Sequence, residues 1–395
     1  MKWKTTKIED VCQIVSGTTP STTIPEYWGG EFNWIAPAEI EEDSKFIFKT
    51  QKTITQKAVS KTSMRLLPVG TVLLSSRAPI GKVAIAAAEM YCNQGFKNLI
   101  CSKEIYNEFL FWFLKGKKEF LNSLGRGATF KEISKDIVSS IEIPLPPLAE
   151  QRRIAAILDK ADAIRRRRQE ALKLADELVK SQFIEMFGDP VTNPKGWKVK
   201  PLQELAEVGS SRRVFVEDLV SSGIPFYRGT EVGSLSTGEE ITPTLFISEK
   251  HYRELCDASG APKFGDLLMP SLCSDGRIWR VNTTAPFYFK DGRVLWVRLK
   301  DNVANSIYLQ HALREKLIRD YHSIASGTTF AELKIFALKS MPVMSPPISL
   351  QNEFAAFVEQ ADKSKFALQR QLAEAEALKA SLMQQFFTSQ EELCA

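Results

Sequence analysis

The 395-residue chain contains no apolar run approaching the roughly 18 to 20 residues that a membrane-spanning helix needs. Its opening, "MKWKTTKIED", is no secretory leader, so a cytoplasmic protein with no membrane partner is expected. Cysteine is sparse and scattered. The six residues include no Cys-x-x-Cys pair, and reduced, mostly buried thiols are the expected state. Histidine is rarer still: His251, His311 and His322 all fall in the second half and none belongs to a His-Glu-x-x-His motif. No Walker-type lysine loop is present, and "NPKG" at 193–196 is not the Asn/Asp-Pro-Pro-aromatic tetrapeptide of an amino-methyltransferase. Gly125-Arg126-Gly127 stands alone, without the rest of a cofactor loop. These absences argue against a catalytic centre or a metal site in this chain. What remains is ordinary globular composition, 44% hydrophobic and 25% charged, with a net charge of +5.

The chain is written twice. "PPLAEQRRIAAILDKAD" at 146–162 and "PPISLQNEFAAFVEQAD" at 346–362 share seven of seventeen positions without a gap, where unrelated segments would share about one. Upstream in the same register, "GATFKE" at 127–132 meets "GTTFAE" at 327–332. Further back, "VGTVLLSSRAPIGKVAI" at 69–85 resembles "FGDLLMPSLCSDGRIWR" at 264–280, matching Gly70 to Gly265 and Gly81 to Gly276. "KWKTTKIEDV" near the start likewise resembles "GWKVKPLQEL" at 196–205. One globular region followed by one helix therefore occurs twice: 1–146, 147–187, 188–346 and 347–390.

From Leu148 to Phe187 there is no internal Pro or Gly, Pro147 suits a helix start, and Gly188-Asp189-Pro190 stops it. Apolar residues recur at three-and-four spacing through Ile154, Leu158, Ala161, Ile164, Leu172, Ala175, Leu178, Val179 and Phe183. The second copy repeats the stripe through Phe354, Val358, Ala361, Leu368, Leu372, Ala375, Leu378, Leu382 and Phe386. Two rods of forty residues, each roughly 60 Å long, are expected to cover one another's stripe. Their net charges, +2 for 147–187 and −3 for 347–395, suit such packing. The run Arg165–Arg168 points four ways around a helix, so it reads as a solvated face with one arginine flanking the seam.

Each globular region mixes strand and helix signals, giving an α+β fold. "TVLLSS" and "KVAIAAA" flank a loop, as do "DLLMPS" and "RIWRV" in the second copy; "PFYFKDGRVLWVRL" predicts a hairpin turning at Asp291-Gly292. Residues 107–124 and 305–324 predict amphipathic helices. Both regions are mildly basic, with 19 basic against 15 acidic residues in 1–146 and 20 against 18 in 188–346, which permits nucleic-acid binding. Candidate DNA contacts in the first region are Ser75, Ser76, Arg77, Lys82, Asn93, Gln94 and Lys97. In the second they are Arg212, Arg213, Tyr227, Arg228, Asp275, Arg277 and Arg280. Arginine can hold guanine bidentately and Asn or Gln can hold adenine, while Lys and Ser serve phosphates. Loops that correspond in position yet differ in polar content, 77–82 against 273–277, are what two different readers require.

"WKTTKIEDVCQIVSGTTP", "VGTVLLSSRAPIGKVAI", "GATFKEISKDIVSSIEIPLPPLAEQRRIAAIL" and their second-half echoes resemble the specificity (S) subunits of bacterial type I restriction–modification systems over nearly the whole length. In the second copy Leu350 stands where the first has Glu150. The resemblance implies two target-recognition domains, each followed by a long helix, with the helices packed as an antiparallel coiled coil under pseudo-two-fold symmetry. It implies that each domain reads half of a bipartite site in double-stranded DNA, and that the helices set the gap and dock two modification (M) subunits. S-adenosylmethionine would then belong to M, ATP and Mg to restriction (R) subunits, and no cofactor to this chain. Gly127, Thr129, Phe130, Pro146, Pro147 and Gln151, with Gly327, Thr329, Phe330, Pro346, Pro347 and Gln351, are the repeated positions expected to serve structure or partner docking. The alternatives are a coiled-coil adaptor whose globular ends bind proteins, which predicts no salt-dependent DNA affinity, and a catalytic methyltransferase or nuclease.

Overall fold

The computed structural model describes residues 3–77, 79–126, 131–300, 303–325 and 331–387. The chain forms two compact units, Met1–Glu170 with Gln369–Ala395, and Ala171–Leu368. Two forty-residue helices, Leu148–Phe187 (the central helix) and Ile348–Phe387 (the distal helix), each contribute residues to both units.

In the first unit, Thr5–Lys7 pairs antiparallel with Glu142–Pro144, clasping the chain start to the segment that launches the central helix. The main sheet has the order Cys12–Ser16, Lys97–Cys101, Val72–Leu74, Val83–Ala86, Phe46–Ile47. A smaller sheet runs Lys52–Ile54, Trp28–Ile35, Tyr91–Cys92, its last pair parallel. The strands at 72–74 and 83–86 pair as the sequence suggests, Leu73 opposite Ala84. Residues 107–124 depart from an amphipathic helix. They form two helices, Asn107–Gly116 and Lys118–Ser123, and Phe109 to Leu114 in the first are all buried. Six consecutive apolar side chains leave no polar face, so this helix is enclosed in the core.

The second unit repeats the plan. Val199–Pro201 pairs with Pro342–Met344, and the main sheet runs Ala206–Ser210, Val294–Leu299, Leu267–Pro270, Trp279–Arg280. Each of these strands occupies the place of its counterpart in the first unit. The smaller sheet runs Leu219–Val220, Phe246–Ile247, Ile224–Tyr227, Tyr288–Phe289, again with a parallel last pair. The matched glycines also agree: Gly70 and Gly265 have φ of 89° and 88°, Gly81 and Gly276 of 86° and 71°. Side chains rarely tolerate that conformation, which explains why the duplicated segments keep glycine there.

The expected hairpin at 286–299 does not form. Tyr288–Phe289 pairs with Ile224–Tyr227 in one sheet, while Val294–Leu299 lies between Ala206–Ser210 and Leu267–Pro270 in the other. The turn is real, since Val294 N–H donates to the Lys290 carbonyl at 3.2 Å and Gly292 has φ 63°. It redirects the chain between sheets.

The central and distal helices run antiparallel wherever they meet within a unit. In the first unit Lys379 bonds Asp162 at 2.6 Å, and Phe387 packs in the core that holds Ile154 and Leu158. Phe387 lies 5.3 and 5.7 Å from the rings of Phe109 and Phe113. In the second unit Lys365 bonds Asp176 at 3.1 Å, and Phe354 meets Phe183 and Phe187, both at 5.5 Å. Both ion pairs join an acid of the central helix to a lysine of the distal one, the reverse of what the helices' net charges suggest. Local placement decides the pairing. Ile164, Leu178 and Leu378 of the expected stripes are instead exposed. Arg165 and Arg166 both bond Asp162, and Arg165 also reaches Asp43, so the first half of the arginine run belongs to the seam of its unit.

The repeated glutamines have a clear role. Gln151 is fully buried; its Oε1 accepts from the N–H of Tyr106 at 2.7 Å, and its Nε2 donates to the carbonyls of Pro146 at 2.8 Å and Glu104 at 2.9 Å. Gln351 repeats this, accepting from Asn305 N–H at 2.9 Å and donating to the Pro346 carbonyl at 2.8 Å. Each carboxamide thus ties the start of a long helix to the N-terminal cap of the helix at Asn107–Gly116 or Ser306–Ile324. Pro146 and Pro346 are buried beside the glutamines, and Pro147 and Pro347 are exposed at the helix starts. Gly127, Thr129, Phe130, Gly327, Thr329 and Phe330 lie outside the described residues. Among the described residues no helix is long and apolar enough to cross a membrane.

Truncating either glutamine leaves buried backbone groups unpaired. Gln151→Ala and Gln351→Ala are each expected to lower unfolding free energy by about 1–3 kcal/mol in chemical denaturation. A second expectation concerns His311, which sits between Phe183 and Phe354 at ring distances of 6.3 and 5.2 Å. Burial drops its pKa from an ordinary 6.5 to about 4. Between those values the unfolded chain holds the extra proton, so stability is full above about pH 6.5 and falls towards pH 4. Denaturation midpoints of His311→Leu should lose this component, worth on the order of 3 kcal/mol, while the wild type keeps it.

Candidate nucleic-acid interface

Three loops and one carboxylate meet at one rim of the main sheet in each unit. In the first unit, Ser76 N–H donates to the Gly95 carbonyl at 2.7 Å, and the Ser76 carbonyl accepts from Ile133 N–H at 2.9 Å. In the second, Ser271 N–H donates to the Arg293 carbonyl at 2.9 Å, and its carbonyl accepts from Leu333 N–H at 2.8 Å. The serines are nearly inaccessible, as are Ile133 and Leu333. The same backbone frame therefore holds the loop after the strand at 72–74 or 267–270, the loop before the strand at 97–101 or 294–299, and the segment following Glu132 or Glu332.

Those glutamates act alike. Glu132 accepts from Arg77 Nε at 2.9 Å and from Lys97 Nζ at 3.0 Å. Burial opposes its charge, but the two cations outweigh that and hold its carboxyl below the usual range. Glu332 bonds Arg293 and, at 2.7 Å, Lys334. Sequence reasoning saw both glutamates inside the repeated "GATFKE" and "GTTFAE" but did not single them out. Their recurrence two residues after the repeated Gly-x-Thr-Phe sequence was the available signal.

The decoration of the rim differs. In the first unit Asn93 Nδ2 donates to Thr19 Oγ1 at 2.8 Å, its Oδ1 accepts from Gly95 N–H at 2.7 Å, and the Thr19 hydroxyl also bonds Gln94 Oε1. Gln94 and Arg77 reach solvent, whereas Asn93 and Lys82 are half-buried. Ser75, Ser76 and Lys97 do not face outward. Ser75 Oγ donates to the Pro79 carbonyl at 2.7 Å and accepts from Lys82 N–H at 2.9 Å, shaping the loop, and Lys97 is spent on Glu132 and on Ser76 at 3.4 Å. Their polarity is satisfied internally, which a sequence cannot reveal.

In the second unit the rim is rich in arginine. Ser211 Oγ donates to the Phe289 carbonyl and Arg212 N–H to Tyr288 Oη, so the loop bearing Arg212 and Arg213 lies on the turn at 290–293. Arg213 is 70% exposed in its side chain, pairs loosely with Asp291 at 3.5 Å and covers Phe215 at 5.7 Å. Phe215 and Val216 are exposed beside it, at 52% and 82%, and sequence reasoning passed over both. Arg228 forks onto Glu231, with Nη2 at 2.5 Å, and Arg277 pairs with Asp275 at 2.7 Å. Burial works against Glu231, yet Arg228 and backbone N–H groups bring its pKa down to about 2. Two residues fall away from this surface. Tyr227 stacks on Phe287 at 5.2 Å within the core, and Arg280 lines a shallow groove with Glu359, Asp362, Lys363 and Phe366 of the distal helix.

The rim can hydrogen-bond base edges and phosphates. Guanidinium and carboxamide groups are positioned on loops, and their supports are buried backbone.

Comparison with known proteins identifies the family and the fold. The model of the type I restriction modification DNA specificity domain matches residues 1–174 and again 194–376. The chain is 33% identical over 386 residues to the type I restriction enzyme MjaIX specificity subunit of Methanocaldococcus jannaschii, covering 90% of this chain and 86% of that one. It is 27% identical to the EcoR124I/EcoR124II specificity subunit of Escherichia coli over 46% of each chain. The crystal structure of the S subunit of a type I restriction-modification system from M. genitalium superposes on 98% of this chain and 96% of its own, with TM-score 0.58 at 15% identity. A chain solved for the complex assembly and conformational transition of a type I R-M system gives TM-score 0.60 at 20% identity, covering 98% and 97%. At such identities the superpositions speak for the α+β fold with its two long helices. Matched twice by one family model along most of its length, the chain belongs to the type I restriction modification DNA specificity domain family.

Proposed function

We propose that this chain is the non-catalytic, sequence-specific DNA-recognition subunit of a type I restriction–modification enzyme, each of its two recognition domains reading one half of a bipartite site. Residues 1–146 and 188–346 are taken as the recognition domains, and 147–187 and 347–390 as the spacer helices. The observation that carries this reading is the rim built twice on one backbone frame and decorated differently. A single binding task would not need two unlike decorations.

The readers differ in chemistry. Arg77, Asn93 and Gln94 serve the first half-site; Arg212, Arg213, Arg228 and Arg277 serve the second, with Asp275 as a partner that Arg277 exchanges for DNA. An arginine already paired to a carboxylate is held in place before DNA arrives, and trades one bidentate acceptor for another. Glu132 stays with Lys97 when Arg77 turns outward, so no buried charge is stranded.

The helices serve as spacer and as the docking surface for the modification subunits. Leu174 and Leu178, one turn apart on the central helix, and Phe366 on the distal helix are exposed within the second unit, at 53%, 55% and 71%. Large exposed apolar side chains on the helices suit a protein partner. In this assembly two M subunits supply S-adenosylmethionine and adenine methylation, R subunits supply ATP- and Mg-dependent cleavage, and the complex works in the cytoplasm.

Mapping methylated adenines in cells that express this chain with its modification partner tests the proposal. A bipartite motif with a fixed gap is expected, and Arg213→Ala should weaken methylation of that motif by 10- to 100-fold, the range of about 1–3 kcal/mol for one base contact, with discrimination relaxed in one half only. An uninterrupted motif, or equal relaxation in both halves, would contradict it.

A further inference from the structure

Two cysteines face each other across the main sheet of the first unit. Cys12 and Cys101 are direct partners in the antiparallel pairing of Cys12–Ser16 with Lys97–Cys101. The neighbouring pair, Val11 and Ser102, is joined by a hydrogen bond from Ser102 N–H to the Val11 carbonyl at 2.9 Å. Pairs alternate along an antiparallel ladder, which makes Cys12–Cys101 a non-hydrogen-bonded pair. There the Cα atoms approach to about 4.5 Å and the side chains lean together on one face. A disulfide needs Cα atoms about 4.4 to 6.8 Å apart, so the ladder already meets the requirement. Neither cysteine is bonded in this structure.

The surroundings give the pair a direction. Cys12 is 6% exposed, and the facing Cys101 thiol, together with burial, pushes its pKa up. Cys101 is less buried and lines a cavity of about 230 Å³ with Gly70, Ile100, Ile105, Tyr106 and Asn107. A small oxidant therefore meets Cys101 first, while Cys12 waits behind it as the second thiol. The remaining described cysteines differ. Cys92 is buried against Asn98 at 2.9 Å, Cys273 is buried, and Cys256 belongs to the other unit.

We propose that Cys12 and Cys101 form a reversible dithiol–disulfide site that hydrogen peroxide oxidises without rearrangement of the sheet. The Cys101 thiolate attacks the peroxide, giving a sulfenic acid and hydroxide, which takes a proton to become water. The Cys12 sulfur then attacks the sulfenic sulfur, forms the S–S bond and releases a second water as its own proton leaves. Two thiols and one peroxide become one disulfide and two waters, and a dithiol reductant reverses the change. This inference does not rest on the DNA-recognition reading and stands or falls separately from it.

The test uses the full chain, treated with dilute hydrogen peroxide, alkylated and digested for mass spectrometry. A peptide pair linked through Cys12 and Cys101, two hydrogens lighter than the reduced pair and released by dithiothreitol, is expected. The same treatment should raise the thermal midpoint of the wild type and leave that of Cys12→Ser unchanged. With its partner removed, Cys101 in Cys12→Ser should instead be trapped by dimedone as the sulfenic acid; Cys101→Ser should give no linked pair. Oxidation of Cys101 in the wild type to sulfinic acid without a link to Cys12, or links formed only by other cysteines, would overturn the proposal.

Discussion

Each unit is completed by chain from far away in sequence, and the rest of the structure depends on that closure. Phe387 packs against Phe109 and Phe113 in the core of the first unit, although some 270 residues separate them. In the second unit Phe354 closes a cluster with Phe183, Phe187 and Tyr308. An aromatic side chain buried this fully is worth several kcal/mol when removed, so neither core is whole until both long helices are in place. Loop closure across such a span is entropically slow to find but adds little cost with each further residue. The duplication makes this arrangement economical in sequence terms, because one stripe design serves both helices.

The rim follows from the same logic of shared frame and private detail. Ser76 and Ser271, Ile133 and Leu333, Glu132 and Glu332 fix the loops through backbone bonds and one carboxylate. The backbone bonds leave the neighbouring side chains free to differ, so Thr19, Asn93 and Gln94 can stand where the second unit has Arg212, Arg213 and Asp291. Rim side chains can then change by substitution while buried support stays constant. The lysine at 97 illustrates the distinction: its charge serves Glu132 and the frame, whereas Arg77 on the same carboxylate reaches solvent.

Most of the architecture was legible because duplication leaves paired signals. Glycines 70 and 265, and 81 and 276, recur because each pair needs a left-handed backbone. Glutamines 151 and 351 recur because each caps the same junction. Long helices were legible from an uninterrupted apolar period. The hairpin at Asp291-Gly292 was misread because turn chemistry specifies a reversal of the chain but not the sheet that each arm joins. The candidate readers were only partly legible for a related reason. Ser75, Ser76 and Lys97 look like surface polarity in the sequence, yet each finds its partners inside. Net helix charge also misled, because Asp162 and Asp176 meet lysines at particular turns whatever the totals are.

Asp162 and Asp176 are separated along the central helix by as many residues as Lys365 and Lys379 along the distal one, fourteen in each case. Removing seven residues from both intervals keeps each ion pair matched and changes the helix face by only about 20°. It shortens each helix by about 10 Å, the length of about three base pairs. Selection of bound sequences from DNA with a randomised gap then tests the spacer role directly. The account predicts the same two half-sites with a shorter preferred gap; an unchanged gap would contradict it.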